Sequence, residues 1–221
     1  LKHPGPGRGK LLGGIAGVPP GKAIILGSGT VATAAARVLM GLDAQITVMS
    51  RDLARLHWLQ EHFGGRIATR TSSPHSIAQE LLAADLLITA VLVPGARAPK
   101  IVTREMVRTM GEGAVIVDVS IDQGGAVETS RPTTHSEPTF VDEGVVHYCV
   151  TNMPGAVPHT STLALASATL PFVELLADAG IEKALKRDRA LALGLSTYDG
   201  QLITAAVGEA FGIETSANPF V

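Results

Sequence analysis

The chain has 221 residues, 46% hydrophobic and 17% charged, so it can bury a substantial core and does not have a disordered composition. A net charge of -2 gives no electrostatic case for binding nucleic acid, and one cysteine, Cys149, excludes an internal disulfide framework and fits a reducing compartment. No apolar run reads as approaching the roughly 20 residues that a membrane span needs, and the expected location is cytoplasmic.

Proline and glycine dominate Leu1 to Gly9. Nothing there can pack, so residues 1–15 read as a linker, without a targeting pattern. Lys22 to Leu26 is a short apolar run that suits a doubly buried strand, and Thr33 to Leu42 is alanine- and leucine-rich and reads as a helix. Gln45 to Met49 follows as a strand and Leu53 to Phe63 as a helix. Arg66 to Thr69 is a short strand, and Ile77 to Ala83 a third helix. Asp85 to Leu92 is a strong strand, Lys100 to Met110 a helix, and Gly113 to Val119 and Val145 to Val150 two further strands. Strands alternating with helix-length segments imply βαβ units and a mainly parallel sheet over residues 16–158. After Pro158 the chain reads as helical. Thr162 to Ala179 is interrupted by Pro171, Ile181 to Leu193 and Leu202 to Phe211 follow, no strand is expected, and Glu214 to Val221 should be loose. Residues 159–221 are therefore expected to form a helical C-terminal segment.

The chemistry starts at Gly27-Ser28-Gly29-Thr30-Val31-Ala32, which follows the first strand and opens the first helix. That context turns a glycine-rich turn into a dinucleotide fingerprint. Gly27 allows the tight turn, Gly29 lets backbone approach a pyrophosphate, and the helix start at Thr30 and Val31 offers N–H groups and partial positive charge. The fold class is thus α/β, a Rossmann-type doubly wound, mainly parallel sheet with a C-terminal helical extension. The other half of the fingerprint, an acidic residue at the end of the second strand, is missing, and Ser50-Arg51 stands there. A hydroxyl beside a guanidinium can accept a 2′-phosphate, which leans toward NADP. Equally, Arg51 can be a solvated helix-start residue and Asp52 an N-cap.

The loop from Ala90 to Lys100 and the loop from Asp118 to Gly125 both leave strand ends, where a doubly wound sheet places its ligand. Asp122, beside a glycine pair, is well placed for the nicotinamide, and Asp118 reads as a capping acid. Asn152-Met153-Pro154-Gly155 is a third loop that could cover the nicotinamide. The seven histidines form no metal signature, so no metal site is expected, and Cys149 reads as a small core residue.

AVLVPGARAPK (Ala90 to Lys100), IDQGG (Ile121 to Gly125), SRPTTH (Ser130 to His135) and HYCVTNMPGAVP (His147 to Pro158), with Leu11-Leu12-Gly13-Gly14 and Pro19, closely resemble the alanine dehydrogenase family. The resemblance runs from about Gly9 to Gly212 and covers the family's C-terminal, cofactor-binding half. It implies an oxidoreductase interconverting L-alanine with pyruvate and ammonia, with NAD as cofactor, an alanine- or pyruvate-like small molecule as substrate, and a homo-oligomer, usually a hexamer. In the resemblance Asp122 matches the catalytic aspartate near the nicotinamide. Ser72, Val91, Leu92, Val119, Asn152 and Met153 match positions lining the cofactor, and Arg55 matches a basic residue near the adenosine ribose.

Three departures accompany it. The family's substrate-binding half, which brings the arginine, lysine and histidine that handle the substrate, does not occur in these residues. Ser50 stands in place of an aspartate, which opens the choice between NAD and NADP. Ala32 and Ala126 replace a glycine and a cysteine. Alternative readings are a shortened stand-alone NADP-dependent imine or keto-acid reductase, a non-catalytic nucleotide-binding module, and a transhydrogenase-like subunit.

Overall fold

A computed structural model describes residues 5–221; the first four residues of the expected linker lie outside the described ones. The described chain forms two compact units, one of residues up to 93 with 97–151, the other of 94–96 with 152–221.

In the first unit, β1 (Lys22–Leu26), α1 (Thr30–Gly41), β2 (Gln45–Ser50), α2 (Leu53–His62), β3 (Ala68–Thr71), α3 (Pro74–Leu81), β4 (Leu86–Thr89), α4 (Arg104–Arg108) and β5 (Val115–Asp118) alternate as expected. They are followed by β6 (Thr139–Asp142) and β7 (Val145–Tyr148). The seven strands lie in the order β3-β2-β1-β4-β5-β7-β6, all parallel except β6. The strand order reverses between β1 and β4, the switch point at which a doubly wound sheet opens a crevice beyond its carboxyl ends.

Strand geometry divides the core between the two faces, because successive side chains point to opposite sides. On β1, Ala23 and Ile25 pack with Leu39 of α1 and Leu56 and Leu59 of α2. Ile24 and Leu26 pack on the other face with Ile77 and Leu81 of α3 and Val107 of α4. Ile24 and Ile25 are completely buried, and each full burial of such a side chain contributes about 1.5–3 kcal/mol. The continuous apolar run KAIIL is what such a two-sided site demands.

The segment before β1 is tied down by charge. Arg8 Nη1 and Lys10 Nζ donate to the two carboxylate oxygens of buried Asp85 at 3.0 and 2.7 Å, and the amide of Lys22 donates to Asp85 Oδ2 at 2.8 Å.

Several elements differ from the sequence expectation for identifiable reasons. The helix expected from Lys100 shrinks to α4, because Val102 bridges Val127 in extended backbone and the Thr103 side chain caps the helix by accepting from the amide of Met106. α3 starts three residues earlier than expected, at Pro74, where Ser73 and Ser76 form a reciprocal capping box. β6 was not expected. It pairs antiparallel with β7 through the two-residue turn Glu143-Gly144, whose φ values of 52° and 74° are those of a type I′ hairpin.

In the second unit, α5 (Pro158–Ala179), α6 (Ile181–Arg187) and α7 (Arg189–Leu193) follow one another, and a short antiparallel ribbon of β8 (Thr197–Tyr198) and β9 (Gln201–Leu202), where no strand was expected, leads from α7 to α8 (Ala205–Phe211). The single helix expected over Ile181 to Leu193 breaks at Asp188, whose side chain caps α7 by accepting from Leu191 N. The last residues are held rather than loose: Asn218 donates to the carbonyl of Ala192, and Phe220 meets the Tyr198 ring edge-on. α5 runs through Pro171 for 22 residues and holds an 18-residue window of mean hydropathy 1.4, long and apolar enough to cross a membrane by length and composition, which corrects the expectation that no run comes near that size. Its alanine-rich stretch passes because proline at this position does not end the helix.

Candidate functional site

The glycine turn sits at the switch point. Gly27 has φ +118°, and a Cβ there would collide with the carbonyl of Ala90 at the end of β4. Only glycine allows β1 and the β4 exit to come this close. Around Gly29 the space is open, with no atom within 4 Å of where a Cβ would stand. α1 then begins at Thr30 with no side-chain cap and no acidic residue in its first turn. Its first N–H groups, Thr30 and Val31 among them, are thus available to an anion, and both residues are exposed. Buried Ala32 lets α1 lie close to the sheet. A cradle that a Cβ would fill, followed by an uncapped helix start, fits a dinucleotide pyrophosphate.

One strand away, Ser50 ends β2 and is half-buried. Its Oγ accepts from Ser28 Oγ at 2.9 Å and from the amide of Asp52 at 3.2 Å. Its carbonyl accepts from the amide of Ser72 at 2.9 Å, which places Ser72, just past β3, beside it. Arg51 is exposed. Asp52 caps α2 by accepting from Arg55 N at 2.9 Å. Arg55 reaches back to the glycine turn, where its Nε donates to the Ser28 carbonyl at 2.8 Å and its Nη2 to Thr33 Oγ1 at 3.3 Å. Its guanidinium lies 4.0 Å from the centre of the Trp58 ring. The structure therefore gathers Gly27, Gly29, Ser50, Arg55 and Ser72 around one corner of the sheet.

The other corner is built from the exits of β4 and β5. Ser120 joins them: its Oγ donates to the Val91 carbonyl at 2.8 Å and accepts from the Val91 amide at 3.1 Å. Asp118, fully buried, organises the loop that follows. Oδ1 accepts from Thr89 Oγ1 at 2.5 Å and from Ser120 N at 3.1 Å, and Oδ2 accepts from Ala126 N at 3.0 Å and Val127 N at 3.3 Å. Lys100 Nζ closes the loop from outside through the carbonyls of Gly124 and Val127 at 2.7 and 3.0 Å. Within this frame Val119 is half-buried and Asp122 exposed, both in a single 3-10 turn, while Val91 is half-buried and Leu92 exposed. Gly124 and Gly125 both take left-handed backbone, and a Cβ on Gly125 would stand 2.8 Å from Asp118 Oδ2.

Asn152 and Met153 belong to the second unit, where Asn152, with φ 52°, precedes a short 3-10 turn that Met153 begins. Sequence reasoning recognised Asp118 as a structural acid but missed Ser120 and Lys100 as braces. Nothing in the local sequence marks a serine whose hydroxyl is bonded to both backbone groups of a residue 29 positions away.

Elsewhere, His147 is buried, bonded to Thr129 Oγ1 at 2.7 Å and stacked on Phe140, and burial pushes its imidazole below the ordinary value. Cys149 is buried, which raises its thiol pKa. Among the described residues no three His, Cys, Asp or Glu side chains gather as a metal ion would need. An apolar recess of about 380 Å³ bordered by Leu12, Leu42, Leu86 and Val115 lies at the amino ends of β4 and β5, the opposite end from these loops.

Residues 1–205 match the family model described as alanine dehydrogenase/PNT, C-terminal domain. An alanine dehydrogenase of Halomonas elongata is 52% identical over 208 residues, which are 94% of this chain and 56% of that protein. A solved L-alanine dehydrogenase superposes with TM-score 0.87 at 50% identity, covering 96% of this chain and 58% of the other. A transhydrogenase of Sinorhizobium meliloti, 24% identical with TM-score 0.67 over 86% of this chain and 51% of its own, shares the fold. The chain spans a little over half the length of the alanine dehydrogenases it matches.

Proposed function

The chain belongs to the alanine dehydrogenase/PNT C-terminal-domain family, and from that premise we propose that it is the nicotinamide-dinucleotide-binding part of an L-alanine dehydrogenase. The reaction converts L-alanine, an oxidised dinucleotide and water to pyruvate, ammonia and the reduced dinucleotide. The observation that carries the reading is the cradle at the switch point. Gly27 admits no side chain beneath Ala90, Gly29 is open above, and the start of α1 is uncapped.

In this reading the backbone of Gly29, Thr30 and Val31 holds the pyrophosphate, and Ser50, Arg51, Arg55 and Ser72 form the adenosine-ribose end. Val91, Leu92 and Val119 flank the nicotinamide end, and Asp122 stands beside the reacting ring as the catalytic carboxylate. Ser120, Asp118 and Lys100 are positioning residues that keep the two loops in register. When bound, the dinucleotide supplies the hydride acceptor. The groups that orient alanine belong to the part of the relatives that this chain does not span. NAD is the cofactor that the family resemblance implies; whether NADP can replace it is decided at the Ser50 end rather than by the glycine turn. Self-association into a homo-oligomer belongs to the same reading.

Calorimetric titration of the 221-residue chain with reduced dinucleotides, alongside an assay of L-alanine oxidation, tests this. The expected result is dinucleotide binding without turnover. Absence of binding by either dinucleotide overturns the assignment. Alanine turnover by these residues alone overturns the placement of substrate handling outside them.

A further inference from the structure

We infer that the ribose end of this site takes the 2′-phosphate of NADP(H), so that NADP(H) binds at least as tightly as NAD(H). The inference rests on the reading that the glycine turn holds a nicotinamide dinucleotide.

A site that selects NAD places a carboxylate at the end of the second strand, where it accepts from both ribose hydroxyls and repels a 2′-phosphate. Here that position is Ser50, and the arrangement of its hydroxyl is specific. A serine hydroxyl has one donor and two acceptor positions. Ser28 Oγ and the Asp52 amide both donate to Ser50 Oγ. The proton of Ser50 remains as the group to be given away, and a phosphate oxygen, which only accepts, is suited to receive it.

The carboxylate nearest in sequence does not substitute for the missing one. Asp52 is turned into the cap of α2, accepting from the Arg55 amide. On either side of it stand two guanidiniums. That of Arg55 is fixed by the Ser28 carbonyl, Thr33 Oγ1 and the Trp58 ring, while that of Arg51 is exposed beside the strand end. The formal charge of Arg51, Asp52 and Arg55 together is positive, and α2 adds the partial positive charge of its N-terminus. A phosphate monoester carries between one and two negative charges near pH 7 and bonds strongly to guanidinium groups. The ribose corner has thus lost the group that excludes NADP and gained groups that attract it.

The test is calorimetric titration of the chain with NADH, NADPH, adenosine 2′,5′-bisphosphate and AMP. NADPH is expected to bind at least as tightly as NADH, and the bisphosphate more tightly than AMP. Arg51→Ala should weaken NADPH about tenfold more than it weakens NADH, the loss of one charge-assisted contact to the 2′-phosphate. Ser50→Asp should reverse the preference. Circular dichroism melts show whether each variant is folded. NADPH binding more weakly than NADH overturns the inference while leaving the dinucleotide reading intact. Equal losses for both dinucleotides in Arg51→Ala overturn the recognition of the 2′-phosphate by Arg51. Failure of both dinucleotides to bind the unaltered chain overturns the reading on which the inference rests.

Discussion

Asp118 shows how much one buried carboxylate can organise. Its two oxygens accept from three backbone amides and one threonine hydroxyl, all of them donors. An asparagine has only one accepting oxygen, so in either orientation its NH₂ group would face buried N–H or O–H donors. Asp118→Asn is therefore expected to cost about 1–3 kcal/mol, the penalty for leaving such groups unsatisfied, read as a lower urea midpoint. Gly27 is the second position where one atom decides the outcome. Gly27→Ala places a Cβ at φ +118° against the Ala90 carbonyl. It should destabilise the chain by about 1–3 kcal/mol and weaken dinucleotide binding as β1 and β4 separate. Both residues are visible in the sequence as types, an acid and a glycine at strand ends. What the sequence leaves out is the identity of the atoms they face, because Thr89, Ala90 and Val127 arrive from other parts of the chain.

At the scale of elements, the β6–β7 hairpin carries two pH dependences that act in the same direction, in different pH ranges. Arg108 and Arg104 hold the Glu143 carboxyl down to about 2, and Arg104 lowers Asp142. Groups with depressed folded values contribute stability above their unfolded values and lose it as pH falls through the folded ones. The melting temperature should drop between about pH 4.5 and 2, and Glu143→Gln should flatten that slope if these ion pairs cause it. His147 in β7 is held below 6.5 by burial, so the unfolded chain takes up protons first. Stability should be level above pH 6.5 and decline as pH falls below it. His147→Gln should remove that part of the decline in a series of melts; an unchanged slope would assign it elsewhere. The hairpin was missed because β6 reads as TFVD, too short and mixed for a strand, and only the Glu143-Gly144 turn marks it. The long helix expected over Ile181 to Leu193 failed for the converse reason. Its apolar spacing continues through Asp188, but the Asp188 side chain restarts the helix as a cap.

At the scale of the whole molecule, the candidate site exists only in the folded chain. Loops beyond β1, β2, β3, β4 and β5 meet because the sheet brings them to one end. A ligand of those loops binds the native state alone and must stabilise it. At a reduced-dinucleotide concentration of about one hundred times Kd, unfolding free energy should rise by about 2.7 kcal/mol. The gain should vanish in Gly27→Ala if that variant no longer binds; a persistent gain would place the ligand elsewhere. The share of the relatives that this chain spans sets the other expectation at this scale. Under the proposed function, dinucleotide binding is expected of these residues, and alanine turnover only when the part of the relatives outside them is present.

The sequence by itself determined the alternation of strands and helices in the first unit, the position of β1 to the residue, and the glycine turn, because these follow from local periodicity and from the steric freedom of glycine. It also marked Ser50 and Asp122, one as a missing acid and one as an acid beside two glycines. Only the tertiary structure decided what these residues do to one another. Ser28 and Asp52 commit the acceptor positions of Ser50, Arg55 is locked against the glycine turn, and Ser120 ties the β4 exit to the β5 exit. Such relations depend on hydrogen-bond geometry between atoms far apart in sequence, and hydrophobic pattern or motif spacing carries no record of it.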